Sequence, residues 1–164
     1  MNNKKVLFTV QAAAIAAIYV VLTVVFTPLS FGHIQVRFAE ALTVLPFFTP
    51  AAIPGLFIGC IIGNGLGQAI PLDIVLGSFA TLIGALGSYA LRRHKFLVPL
   101  PPIISNTIVV PFILFYGYGF NLPISLMMLT VGVGEIISCG VLGTILLTAL
   151  LKYNDVLFKN ANAD

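Results

Sequence analysis

Residues 6–26 run for 21 positions without a charged side chain, directly after Lys4 and Lys5. As a helix, that run is about 32 Å long, enough to cross the ~30 Å hydrocarbon core of a bilayer. Further apolar stretches follow at residues 51–70, 74–91, 96–116 and 122–151. Hydrophobic residues make up 59% of the 164-residue chain and charged residues 8%, against roughly 25% charged in soluble domains. Mean hydropathy is +1.10. A soluble domain of this size has no core large enough for so much apolar surface. The sequence is that of an all-α integral membrane protein, a single transmembrane domain over residues 1–164, and it leaves no room for a soluble catalytic or nucleotide-binding domain. The Ala12-Ala13-Ala14 run resembles a signal-peptidase site. The apolar run continues well past it, however, beyond the roughly 7–15 residues of a signal sequence, which predicts a retained first helix.

The short stretch 38–48 decides the topology. It carries Glu40 and Pro46, and 11 residues of α-helix rise only about 17 Å. Basic residues cluster at Lys4 and Lys5, at Arg92, Arg93 and Lys95, and at Lys152 and Lys159. If the short stretch crosses, all three clusters fall on one face, which the positive-inside rule makes cytoplasmic. The expectation is six transmembrane helices with both termini cytoplasmic, the second helix short, tilted or broken. The outer loops are then 27–36, 71–72 and 117–121, the first long enough to act as a lid. The net charge of +3 is accounted for by these clusters and calls for no nucleic-acid partner. Cys60 and Cys139 lie in apolar stretches without metal or redox spacing and read as packing residues.

Small residues mark helix contacts. Gly55, Gly59, Gly63 and Gly67 recur every fourth position, as do Ala80, Gly84 and Ser88. In lipid, such stripes let helices approach closely, and the glycine stripe predicts packing inside the bundle. The first helix offers Ala12 and Ala16, Ala13 and Ala17, for internal packing or for a partner helix.

Buried polar residues carry the functional signal. A charge at mid-membrane costs about 2.5–3.5 kcal/mol on insertion scales, and Glu135 lies deep in the last helix. Asn106 is expected at a similar depth. Asn64 and Gln68, four apart, share one face of the third helix. Asp73 follows Pro71-Leu72 as a helix cap or a binding residue. Glu40 complements the start of the second helix, pairs with Arg37 three positions earlier, or faces a ligand. Together with Phe31, Phe38, Tyr116 and Tyr118 these residues describe an acidic pocket with aromatic walls in the outer half. Such a pocket suits a small planar ligand rich in N–H donors, cationic rather than anionic. His33 and His94 are loop residues without an assigned role. The chain has no GxxxxGKS or GxxxxGKT phosphate loop, no HExxH and no GxSxG, and the glycines of Gly63-Asn64-Gly65-Leu66-Gly67 lie within a membrane helix. It does not hydrolyse ATP itself and needs no cofactor or metal.

The run Gln35-Val36-Arg37-Phe38-Ala39-Glu40-Ala41-Leu42-Thr43-Val44-Leu45-Pro46, then Pro54-Gly55-Leu56 and Gly59-Cys60-Ile61-Ile62-Gly63-Asn64, resembles the QueT family. The likeness continues through Asp73, Gly77-Ser78, Asn106 and Gly134-Glu135. Ala39 departs from it, standing where serine is common. These proteins are substrate-binding S components of energy-coupling factor (ECF) transporters for queuosine precursors. The resemblance implies a six-helix S component, not an enzyme, in a bacterial cell membrane. It would dock through the alanine face of helix one on a membrane coupling subunit driven by two cytoplasmic ATPases. The implied ligand is the aminomethyl-deazaguanine preQ1 or a close relative. Glu40, Asp73 and Glu135 are the candidates for its guanine-like edge and its ammonium, and Asn64 and Asn106 for the remaining edge. The rival readings are a stand-alone, proton-coupled carrier using Glu135 as its proton site, and a small intramembrane enzyme.

Overall fold

The computed structural model describes residues 3–27 and 36–153, and every regular element among them is helical. In chain order these are α1 (Asn3–Val25), a 3₁₀ helix (Phe38–Phe47), α2 (Ala52–Leu66), α3 (Pro71–Ala90) and α4 (Leu100–Tyr116). A long last helix follows, made of α5 (Ile124–Glu135), a π-helical segment (Ile136–Leu142) and α6 (Gly143–Leu151). Three helices are long and apolar enough to cross a membrane: Lys4–Val25, Pro71–Ala90 and Ile124–Leu151. The other three, Phe38–Phe47, Ala52–Leu66 and Leu100–Tyr116, are shorter but apolar. The expected lid segment falls mostly on residues 28–35, which, with Phe31, His33, Gln35 and Lys159, lie outside the described residues.

The short stretch 38–48 forms a helix of a different kind from the α-helix expected for it. It winds as a 3₁₀ helix, whose rise of about 2.0 Å per residue stretches ten residues to about 20 Å. It is also the most enclosed element. Seven of its ten residues are buried: Ala39, Glu40, Leu42, Thr43, Val44, Leu45 and Pro46. Helices α1, α2, α3, the π segment and α6 all pack against it. Tyr19, Leu56 and Leu147 join Leu42, Val44 and Leu45 in the main apolar core. A three-residue turn also stacks Glu40 above Thr43 on one line, and the Thr43 hydroxyl donates to the Glu40 carbonyl at 2.6 Å.

Around this centre α1 packs on α2, α2 on α3, α3 on α4 and α4 on α5. The glycine stripe serves the first of these contacts, as its spacing predicts. A Cβ on Gly55 would stand 2.7 Å from the Ala12 carbonyl oxygen, and one on Gly59 would stand 3.1 Å from the Ala16 Cα. The four alanines of α1 therefore divide. Ala12 and Ala16 face α2 inside the bundle and are not available to a partner, whereas Ala13 and Ala17 are exposed. The second stripe joins α3 to α4. A Cβ on Gly84 would stand 2.7 Å from the Pro102 Cα, Ser105 donates to the Ala80 carbonyl at 3.0 Å, and Ser88 donates to the Val98 carbonyl at 2.7 Å.

Helix boundaries follow local chemistry. Pro71 opens α3 at the first position, where its missing N–H costs nothing. Helix α2 stops at Leu66, four residues before the end expected from hydropathy. The Gln68 N–H bonds to the Gly65 carbonyl and the Ala69 N–H to the Asn64 carbonyl, with Gln68 left-handed at φ 63°. This is a Schellman closure, with glutamine where glycine is usual. Gln68 is thereby exposed in a turn and does not share a helix face with Asn64.

The helix order also gathers charge at one end. Thr49, just past the 3₁₀ helix, donates to Gln11 near the start of α1 at 3.0 Å. Phe47 lines a hollow together with Arg92, Arg93 and Lys95. Lys4, Lys5 and Lys152 sit at the corresponding ends of α1 and α6.

Candidate functional site

The expected acidic residues separate into two groups. The deeper group brings together elements distant in the chain. Glu40 is fully buried on the 3₁₀ helix, and Glu135, 2% exposed, closes α5 where the π segment begins. The Tyr19 hydroxyl of α1 donates to Glu40 Oε1. The Thr81 hydroxyl of α3 reaches the same oxygen at 3.3 Å. Both donors are spent on Oε1, and buried Oε2 has no hydrogen-bond partner.

Glu135 Oε2 accepts from the Cys139 thiol at 3.2 Å. Cys139 also touches the 3₁₀ helix, lying 3.5 Å from the Glu40 carbonyl and 3.5 Å from the Thr43 hydroxyl. The sulfur and one oxygen from each of Glu40 and Glu135 lie within 4.8 Å of one another. The π-helical turn inserts between α5 and α6 at this point, a distortion that recurs at functional sites in helices. Asn106 of α4 stands beside Glu135, but its Nδ2 makes no hydrogen bond; the Ser138 Oγ is also buried without a partner.

Buried polar atoms are nearly always paired, so the bare Glu40 Oε2 and the unpaired Asn106 Nδ2 at this cluster are exceptions. Two bare anions this close repel strongly in a low dielectric, and a cation or a donor-rich group between them removes that cost. The Glu40–Glu135–Cys139 set is also the grouping among the described residues that could hold a metal ion. Tyr19, Thr81, Ser138 and Cys139 were not singled out by sequence for this site. The signals were present for two of them: Tyr19 is the tyrosine of an otherwise aliphatic mid-helix stretch, and Cys139 stands four residues from Glu135.

The second group lies at the opposite end from the basic clusters. Arg37 and Asp73 are 4% and 2% exposed and form an ion pair, Nη2 to Oδ2, of 3.4 Å. Arg37 thus pairs with Asp73 of α3 and not with its neighbour Glu40. Asp73 is the third residue of α3, with Ile70 at the cap position, so it is not the cap. The Tyr118 hydroxyl donates to Asp73 Oδ2 at 3.0 Å and accepts from the Ile70 N–H at 3.4 Å. Burial and the adjacent Asp73 carboxylate push the Tyr118 hydroxyl up to about 12, so it keeps its proton at neutral pH. Asn64 Nδ2 reaches the Asp73 carbonyl at 3.5 Å, and Asp73 Oδ1 is buried without a partner.

The aromatic walls are thinner than expected among the described residues. Phe38 stacks on Phe26 at 4.4 Å, and Tyr116 is 72% exposed. Tyr118 stands at the outer group as expected, and the deeper group draws on Tyr19. Surface hollows of about 550, 470 and 420 Å³ lie elsewhere and are lined by none of these acids.

The family model described as QueT transporter matches residues 9–152. A curated relative from Lactococcus lactis subsp. cremoris (strain MG1363), named Queuosine precursor transporter QueT, is 35% identical over 98 residues. That match covers 58% of this chain and 57% of the relative, so the chain spans little more than half of the relative's length. Both names are those of transporters rather than enzymes. No solved structure matches the chain.

Proposed function

Since the chain belongs to the QueT transporter family, we propose that it is the substrate-capture subunit of an ATP-driven ECF importer for a queuosine precursor, preQ1 or a close relative. It is a multi-pass protein of the bacterial cell membrane. The observation that carries the reading is the convergence of Glu40 and Glu135, with one Glu40 oxygen unpartnered and Asn106 beside Glu135. A ligand with an ammonium and a guanine-like edge supplies the positive charge and N–H donors that this cluster lacks. In this reading Glu40 and Glu135 hold the donor-rich ligand, with Asn106 reading its ring edge. Arg37, Asp73, Asn64 and Tyr118 frame the outer side, and Gln68, exposed in the turn after α2, stands outside it.

The gathering of basic residues at one end supports six spans with both termini cytoplasmic. Ligand then enters from the outside, past the Arg37–Asp73 pair. Exposed Ala13 and Ala17 give a membrane coupling subunit a flat surface on α1. Two cytoplasmic ATPases supply the energy, and the chain itself carries no cofactor.

Reconstituted vesicles test the arrangement. Labelled preQ1 should enter only when the coupling subunit, both ATPases and internal-face ATP accompany this chain. Uptake by the chain alone, collapsed by an uncoupler, would instead establish a proton-coupled carrier.

A further inference from the structure

Away from the acidic cluster, charge is most concentrated in the turn between α3 and α4. Arg92, Arg93, His94 and Lys95 are consecutive and exposed. With Phe47, Phe96 and Leu97 they line a hollow of about 550 Å³. The Arg92 guanidinium lies 4.1 Å from the centre of the Tyr89 ring, and the Lys95 ammonium 4.9 Å from that of Phe96. Such cation–ring contacts hold the charges in place at the surface of the bundle.

A second hollow of about 470 Å³ runs between α3 and α4, lined by Ile83, Gly87, Leu91, Leu100, Ile104 and Ile108 among others. Leu91 and Leu100 bracket the basic turn, so the groove opens at the cations. From Leu91 to Ile83 it extends about 12 Å along α3. Ile83, Ile104 and Ile108 are 58%, 49% and 51% exposed, and in a bilayer this outward apolar surface meets lipid chains.

We propose that the turn 91–97 and this groove form one binding site for an anionic phospholipid. The phosphate-bearing head sits on Arg92, Arg93 and Lys95, and one acyl chain lies along the groove. Charge complementarity selects the occupant, because each surface Lys or Arg contributes to attraction for anionic lipid. The acids among the described residues do not oppose it: Glu40, Asp73 and Glu135 are all buried in the two groups described above. A free phosphate meets the same cations but gains nothing from the groove, and a zwitterionic lipid fills the groove without matching the charge.

Native mass spectrometry of the full chain in detergent tests this with phosphatidylglycerol, phosphatidylcholine and inorganic phosphate as probes. Phosphatidylglycerol should be retained with a preference on the order of 10–100-fold over phosphatidylcholine. The variant R92Q/R93Q/K95Q should lose that preference, and Ile104→Trp, which fills the groove with apolar bulk, should weaken retention of both lipids. Lys4→Gln/Lys5→Gln, which removes a similar charge elsewhere at the same end, should leave the preference intact. All substituted positions are solvent- or lipid-exposed, and thermal unfolding in detergent reports whether each variant is folded. Equal retention of the two lipids, an undiminished preference in the folded triple variant, or displacement of the lipid by equimolar phosphate would each overturn the proposal.

Discussion

Glu40 of the 3₁₀ helix and Glu135 of the last helix bring carboxylate oxygens within 4.8 Å of each other, with the Cys139 sulfur in the same cluster. Their immediate neighbours divide the work. Tyr19 and Thr81 occupy one oxygen of Glu40, and the other has no partner; the proposed site places the ligand there. Replacing either acid by glutamine should therefore reduce preQ1 affinity by about 2–5 kcal/mol, the range for removing one partner of a buried charged pair. Titration calorimetry on each variant checks this, and near-wild-type affinity in both would remove the pair from the site. Tyr19→Phe should cost less, about 1–2 kcal/mol, because it removes one of two donors to Oε1 without removing the charge.

The Arg37–Asp73 pair predicts a different pattern. Arg37→Met strands a buried carboxylate and should destabilise the protein by about 3–5 kcal/mol, whereas Arg37→Met with Asp73→Leu should recover most of that loss. Thermal unfolding in detergent measures both. No recovery in the double variant would mean that each residue has a separate structural role.

Tyr118 gives a pH dependence with a defined sign. Its hydroxyl is raised in the folded protein from the usual 10.0 to about 12. The bond to Asp73 is therefore fully present below pH 10 and is lost as pH rises towards 12. The unfolding temperature should fall more steeply over that window in the wild type than in Tyr118→Phe. Parallel curves would show that the hydroxyl contributes nothing there.

The two alanine faces of α1 should behave oppositely. Ala16→Leu drives a side chain into Gly59 and should destabilise the bundle by about 1–3 kcal/mol. Ala13→Leu with Ala17→Leu should leave stability and ligand binding unchanged while weakening assembly with the coupling subunit. Co-purification with that subunit is the readout, and undiminished assembly would move the docking surface elsewhere.

Gln68 tests the end of α2. A non-glycine residue in the left-handed region costs about 1–2 kcal/mol, so Gln68→Gly should raise stability, and because Gln68 is exposed, ligand affinity should not change. A large loss of affinity would return Gln68 to the binding site.

Much of this was legible in the sequence because membrane burial makes polar residues conspicuous. Glu40, Asp73, Asn106 and Glu135 stood out against apolar surroundings, and all four are buried. The resemblance built on the run from Gln35 to Asn64 is borne out by a family match over residues 9–152. Three features were hidden for physical reasons. Hydropathy does not distinguish 3₁₀ from α winding, so the reach of the 38–48 stretch was underestimated. A helix stop made by backbone hydrogen bonds leaves little trace when glutamine takes the glycine position, so Gln68 was placed on the wrong face. Partner choice among charges depends on which helices meet, so spacing alone leaves Arg37 with several acids to pair with and does not single out Asp73 of α3.

The central claim, that this chain by itself captures a cationic deazaguanine between Glu40 and Glu135, is tested most directly by calorimetric titration of the purified protein with preQ1. Guanine, which lacks the ammonium, and a divalent metal serve as controls. The account predicts tight binding of preQ1 with no ATPase present, much weaker binding of guanine and no competition from the metal. Folded protein that binds guanine as well as preQ1, binds the metal in its place, or binds neither would contradict it.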